Sequence, residues 1–313
     1  MYIIFSTAAA QMFKLILLIA AGYFLCRKGI LNDTIVNGIT ALVLNFCVPI
    51  MIFNALQMDY SSDLLKNGLI IIILYLTSCV LAFILASALQ NKSGLPKNAE
   101  SDWKFNSLFS NVGFIGLPVV AALFNSSEAT FYACCVVVTN NIFFGSCGEQ
   151  LYKYFHGQQP EKASLKKLAS SPLLIAMTLG LICFFLRIRV PDIIAECCDS
   201  ISATVTPLIM FSIGALLTKG KLSEMFFGYS YYVMVFIKMI ISPLAVWAIS
   251  RLLPCSELTR TVILIMCAMP GPAAAAPLSL SYGNPVWASR YVIISTVVSI
   301  VTLPTLYVLV NCL

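Results

Sequence analysis

The chain has 313 residues, of which 60% are hydrophobic and only 10% charged, with a formal net charge of +6. Soluble domains carry roughly a quarter of their residues as charged types, so this composition excludes a soluble enzyme and predicts an all-α integral membrane protein. The basic excess sits in short connections and forms no long run, so it reads as membrane topology and no nucleic-acid partner is expected.

Bilayer crossing takes about 20 apolar residues per helix. Ten such segments follow one another, at approximately 5–26, 34–57, 67–90, 104–124, 129–152, 171–187, 198–217, 225–250, 260–281 and 286–311. The first is read as a retained span: it has no basic start, its apolar run continues past Ala10, and Lys14 interrupts it. The second carries Pro49-Ile-Met-Ile-Phe53. The fourth is interrupted by Asn111-Val-Gly-Phe-Ile-Gly-Leu-Pro118, in which Pro118 removes an N–H and Gly113 and Gly116 resist unwinding little, so the helix is expected to open near Gly116. Non-helical backbone at membrane depth is tolerated only where protein buries it or where it lines a wet cavity, and in transporters it marks the substrate site. The fifth segment holds Asn140, Asn141 and Glu149, and the loop after it holds the single His156, which leaves no histidine-based metal site or cofactor to expect. The seventh carries Pro207-Leu-Ile-Met-Phe211, the eighth Lys238, and the ninth a second break, Met269-Pro-Gly-Pro-Ala-Ala-Ala-Ala-Pro277.

The two breaks share one spacing: 270 − 111 = 159 and 277 − 118 = 159, while the Pro-x-x-x-Phe frames differ by 207 − 49 = 158. A repeat of about 155 residues follows, with a first five-helix half at 1–155 and a second at 166–313. Lysine and arginine divide as twelve on one side, five on the other and two, Lys14 and Lys238, within spans. The richer side is expected to be cytoplasmic, which places both termini extracytoplasmic in a cell-membrane protein. Five spans per half then make the repeats inverted. Of the twelve cysteines, most lie in apolar runs and read as small hydrophobes.

Leu44-Asn-Phe-Cys-Val-Pro49, Asn111-Val-Gly-Phe-Ile-Gly-Leu-Pro118, Pro207-Leu-Ile-Met-Phe-Ser-Ile-Gly-Ala215 and Met269-Pro270 leading to Pro277 together give the chain its family look. In these stretches, and over nearly its whole length, it resembles the auxin efflux carrier family in compact prokaryotic form. The resemblance implies ten helices in an inverted repeat, a scaffold of spans 1, 2, 6 and 7, a transport domain of spans 3–5 and 8–10, and an organic anion bound where the broken fourth and ninth helices cross. Its loop between spans five and six is short, unlike the long regulated loop of plant members, and Gly271 to Ala276 offers no side-chain donor where members usually carry Ser, Thr or Asn.

Half-helix N-termini present free N–H groups and partial positive charge, which suit a carboxylate; Pro118 and Pro277 are expected at such starts. The expected substrate-binding set is therefore Asn111, Gly116, Pro118, Asn140, Asn141, Pro270, Gly271, Pro277 and Lys14. Asn111 either donates to the substrate or makes an interhelical hydrogen bond; one of Asn140 and Asn141 faces the crossing. Lys14 either attracts the anion, is held in an ion pair or is kept neutral by desolvation, Glu149 reads as the partner of Lys153, and Lys238 either ties to a carbonyl or to Glu149 or acts in transport. The expected function is secondary transport of a small carboxylate, auxin- or malate-like, by elevator-type alternating access. Alternatives are a sodium-coupled symporter of the bile-acid type and a membrane sensor that moves nothing. No reactive constellation is present, so no enzyme is expected; the expected partners are an organic anion, the lipid bilayer and a second copy in a homodimer.

Overall fold

The computed structural model describes residues 2–58, 61–155, 170–216, 218, 227–272, 274–275, 278–279 and 283–312. Every described regular element is helical. Helix α1 spans Tyr2–Arg27, α2 Asp33–Leu42, α3 Val48–Ala55, α4 Ser62–Leu89, α5 Glu100–Leu108, α6 Leu117–Phe124, α7 Ser127–Phe143 and α8 Glu149–Phe155. In the second half α9 spans Pro172–Leu186, α10 Asp192–Leu216, α11 Tyr229–Phe236, α12 Ser242–Ser250, α13 Glu257–Cys267 and α14 Pro285–Cys312. A helix thus lies at each of the ten predicted segments. Six described helical stretches are long and apolar enough to cross a membrane, and a seventh counts if Lys97–Leu108 and Val112–Phe124, bent by 41°, form one span.

Helix α4 shows which environment the surface is made for. Leu69, Ile73, Val80 and Ile84 are exposed at helical spacing, while Gly68, Ile71, Tyr75, Ser78, Cys79 and Ala82 face inward. Small and polar groups are inside and branched apolar groups outside, the reverse of a water-soluble helix and the pattern of a lipid-facing one.

Among the described residues four π-turns interrupt the helices, at Val43–Cys47, Val112–Gly116, Phe144–Gly148 and Ile237–Ile241. Three of them end two residues before a proline: Pro49, Pro118 and Pro243. In each the residue just before the proline donates its N–H five positions back, Val48 to Val43, Leu117 to Val112 and Ser242 to Ile237. A proline inside an α-helix loses one such bond and its ring strikes the carbonyl four residues back. The wider turn absorbs the mismatch with one extra residue.

The helices pack in two sets. One joins α1 to α10 and α3 to α9 and α10; the other joins α4, α5, α7, α12 and α13, with α11 and α13 against α14. The first set is closed by bare backbone: a Cβ added to Gly22 would collide with the Phe211 main chain, and one added to Gly214 with that of Ile19 and Tyr23. Such small-residue contacts let membrane helices approach closely. The second set is pinned at one end by aromatic rings, with Tyr231 stacked on Trp287 at 5.5 Å, Trp287 on Tyr291 at 5.4 Å and Trp103 tilted against Trp287 at 6.1 Å. Both indole N–H groups are satisfied, Trp103 by the Ala86 carbonyl and Trp287 by the Ser230 hydroxyl.

Gly214→Leu is expected to separate α1 from α10, because its side chain has only backbone to displace. Overpacking of this kind costs about 1–3 kcal/mol or more. Thermal unfolding in detergent should show a clearly lowered midpoint or loss of the monodisperse species; an unchanged midpoint would contradict the close approach.

Candidate functional site at the helix crossing

Helix α5 ends at Leu108, after which Phe109 is extended (φ −101°, ψ 148°) and Asn111 sits at φ −81°, ψ 52°. The chain then turns through Val112–Gly116 into α6. The expected opening near Gly116 is therefore corrected: the helix opens at 109–111, one to two turns earlier. Gly116 instead lies within the π-turn, donating to the Asn111 carbonyl at 3.1 Å. Pro118 follows the π-turn directly, and the wider turn accommodates its missing N–H within the half-helix. The free N–H groups of this half-helix are accordingly those of the turn that follows Asn111.

The second break meets the first. The Asn111 N–H donates to the Pro270 carbonyl at 2.8 Å, joining positions 159 apart. The next N–H, of Gly271, donates to the Ser295 hydroxyl at 3.0 Å, which in turn donates to the Val292 carbonyl at 3.1 Å. Both glycines lie where a side chain has little room: a Cβ on Gly116 would come within 3.0 Å of the Met266 sulfur, and one on Gly271 within 2.6 Å of the Tyr291 ring. Asn111, Gly116, Pro118, Pro270 and Gly271 are thus together, and all are buried. Pro277 and the side chain of Glu149 lie outside the described residues, as does His156.

The last-turn carbonyls of α5 need partners of their own. Lys238, 3% exposed, donates its ammonium to the Ser107 carbonyl at 3.0 Å. The expected tie of Lys238 to a carbonyl is observed. A cation at a helix C-terminus is favoured by the helix dipole, and here it also satisfies an orphan acceptor in the interior. Around it the Ser78 and Ser242 hydroxyls are 2.8 Å apart, and Ser242 also donates to the Ser78 carbonyl.

The two asparagines of α7 differ. Asn140 is buried and its Oδ1 accepts the Tyr75 hydroxyl at 2.7 Å. Asn141 is half-buried and donates to the Val137 carbonyl one turn back, at 2.7 Å. Lys14 is exposed. It lines a cavity of about 540 Å³ between the two helix sets, whose walls include Asn54, Ala121, Ala122, Asp199 and Thr206. Asn54 donates to the Asp199 carboxylate at 2.7 Å, and the Thr206 hydroxyl reaches the Pro118 carbonyl at 3.5 Å. The cavity thus borders the half-helix that follows the break without including Asn111 or Pro270.

Several groups escaped the sequence reading. Ser295, Ser107 and Tyr75 act through partners 24, 131 and 65 positions away, and nothing local distinguishes them from other small or aromatic residues of membrane helices. Asp102 is fully buried but precedes the predicted start of the fourth span by two residues. The acidic first turn of α5, with Glu100 and Asp102, is the signal that moves the helix start upstream.

The family model described as "Membrane transport protein" matches residues 7–307. An uncharacterized transporter of Methanothermobacter thermautotrophicus is 27% identical over 305 residues, covering 96% of this chain and 98% of the relative. An uncharacterized transporter of Methanocaldococcus jannaschii is 25% identical over 272 residues, covering 85% and 87%.

Gly271→Ala is expected to destabilise the crossing, since the added methyl meets the Tyr291 ring and the Asn106 Oδ1, the latter at 3.2 Å. The cost should be about 1–3 kcal/mol, read as a lowered thermal midpoint of the purified protein. A variant as stable as the parent would mean that Tyr291 is not packed on this glycine.

Proposed function

From the premise that the chain belongs to the membrane transport protein family of auxin efflux carrier-like proteins, we propose that it is a secondary transporter of small organic anions, of the size and charge of malate or an indole carboxylate. In this reading ten spans form two inverted five-helix halves, 1–155 and 166–313. Spans 1, 2, 6 and 7 are the scaffold, and spans 3–5 and 8–10 move against it as an elevator. The protein lies in the cell membrane with both termini extracytoplasmic.

One observation carries the proposal: the N–H of Asn111 binds the carbonyl of Pro270, its own counterpart under the 159-residue offset. Two equivalent positions touch each other only where a two-fold axis passes between them. The division of helix contacts into two sets supports the scaffold and the moving group, and the cavity between them supports an access route.

At the crossing, the free N–H groups after Asn111 and its side-chain amide form a donor set for a carboxylate, in a wall of methionine and other apolar side chains. Lys14, exposed in the cavity, draws an anion toward that wall. Its neighbour Asp199 is already hydrogen-bonded by Asn54. The sodium-coupled alternative asks helix-end carbonyls to bind a metal cation. The Ser107 carbonyl is instead taken by the Lys238 ammonium, a cation built into the chain, which favours sodium-independent binding.

The test is thermal stabilisation of the purified protein by a panel of mono- and dicarboxylates, with and without sodium. A ligand that binds only the folded state at 100 times its Kd adds about 2.7 kcal/mol. At least one carboxylate should raise the midpoint without sodium, and Asn111→Ala should lose that shift while keeping its own midpoint, because alanine retains the backbone N–H that Pro270 accepts. A shift that depends on sodium would favour the symporter. No shift with any anion, together with no flux in proteoliposomes, would remove the transporter reading.

A further inference from the structure

Helix α5 carries a polar stripe toward the second break. Asp102 and Asn106 are four residues apart, and the Asn106 Nδ2 donates to the Asp102 carbonyl at 2.8 Å. Ser110 follows, next to Asn111. Asn106 and Asp102 are fully inaccessible and Ser110 is 2% exposed. Across from this stripe lie Ser279, Tyr291 and the bare Cα atoms of Gly271 and Gly283.

Four of these groups end in polar atoms that no described atom satisfies: Asn106 Oδ1, Ser110 Oγ, Ser279 Oγ and Tyr291 Oη. Each belongs to a side chain at least nine-tenths buried. A buried polar atom without a partner costs about 1–3 kcal/mol, and native proteins satisfy nearly all of them by protein or by ordered water. Four on one seam indicate internal water. A metal cation is disfavoured there by the fixed Lys238 ammonium, which binds the carbonyl of Ser107, the residue after Asn106.

At the far end of the seam the Asp102 carboxylate joins three elements. Its Oδ1 accepts the Tyr152 hydroxyl at 2.8 Å and its Oδ2 accepts the Asn284 N–H at 2.6 Å. Gly283 sits so close that a Cβ there would come within 2.7 Å of both carboxylate oxygens. Asn284 in turn caps α14, accepting the Trp287 N–H at 3.0 Å, and touches the surface through Asn98. Among the described residues, the charged and titratable groups around Asp102 include Glu100 and Lys104 on its own helix and Tyr152 and the buried Lys153 of α8. Lys104 is turned to the Ser87 hydroxyl of α4, and Arg290 of α14 to Tyr231.

We propose that Asp102 is a proton-binding site, reached through ordered water in the seam between α5 and Gly271, Ser279 and Tyr291, and that its protonation governs the attachment of Gly283 and Asn284 to α5. The ionised carboxylate holds Tyr152 and Asn284 together. A proton taken from water onto one oxygen removes an acceptor, frees the Asn284 N–H and loosens the connection; its return to water restores the latch. No other bond changes. The inference rests on the transporter reading for its consequence, a proton-sensitive transport cycle, but its site is testable without a transported substrate.

The experiment is infrared difference spectroscopy on the ligand-free protein in nanodiscs after a pH jump. The wild type should show a protonated-carboxyl C=O band that Asp102→Asn lacks. Tyr291→Phe, which removes a hydroxyl without a partner among the described residues and should fold normally, is expected to slow the appearance of that band several-fold without changing its final size. Radiolytic footprinting should oxidise Tyr291, beside the water, several-fold faster than the equally buried Tyr75. Superimposable spectra of wild type and Asp102→Asn would overturn the site. Equal oxidation of the two tyrosines would overturn the water, and a band that responds to sodium at constant pH would replace the proton with a metal cation.

Discussion

Hydrocarbon supplies no hydrogen bonds, so a helix that opens inside it must find replacements for every backbone group it frees. That constraint organises the interior. The opening at 109–111 separates α5 from α6, and three backbone groups at the two breaks each meet a specific substitute. The Asn111 N–H has the Pro270 carbonyl, the Ser107 carbonyl has the Lys238 ammonium, and the Gly271 N–H has the Ser295 hydroxyl. These substitutes come from parts of the chain far away in sequence. Neither broken stretch can therefore hold its geometry until these distant segments are brought together.

The same constraint explains why the packing is tight where it is. Backbone-to-backbone approach at the crossing requires Gly271 to lie against the Tyr291 ring and Gly116 against Met266 and Met269. Methionine suits a wall that has to accommodate more than one neighbour shape, because its unbranched chain repacks easily. The aromatic stack of Tyr231, Trp287 and Tyr291 is stiffer. It fixes α14 relative to α11.

Much of the fold was legible because burial and lipid exposure write themselves into long apolar segments, and a helix lies at each one expected. The two breaks and their common offset were legible for a second reason: proline and glycine act locally. What escaped was decided by tertiary partners. The opening moved from Gly116 to 109–111 because the π-turn absorbs Pro118, leaving Asn111 to be held by a carbonyl 159 positions away. Asn140 and Asn141 are adjacent and alike in sequence, and only the position of Tyr75 on another helix separates them. Lys14 reads as intramembrane along the chain, yet it is exposed at a cavity formed by helices it does not adjoin in sequence. Asp102 was hidden by a boundary placed two residues too late, beside a tryptophan and a lysine that look interfacial and are buried.

The π-turns ahead of Pro49, Pro118 and Pro243 have a consequence for how such a chain can change over time. A π-turn is what a helix becomes when one residue is inserted without lengthening it, and each of these sits immediately upstream of the proline that makes it useful. Replacing the proline alone leaves a surplus residue in a helix that no longer needs it. Deleting the surplus alone returns the proline to a register where its ring strikes a carbonyl. The two features are therefore gained or lost as a pair, through an insertion or deletion together with a substitution, and single-residue gaps between related chains should gather just ahead of these prolines.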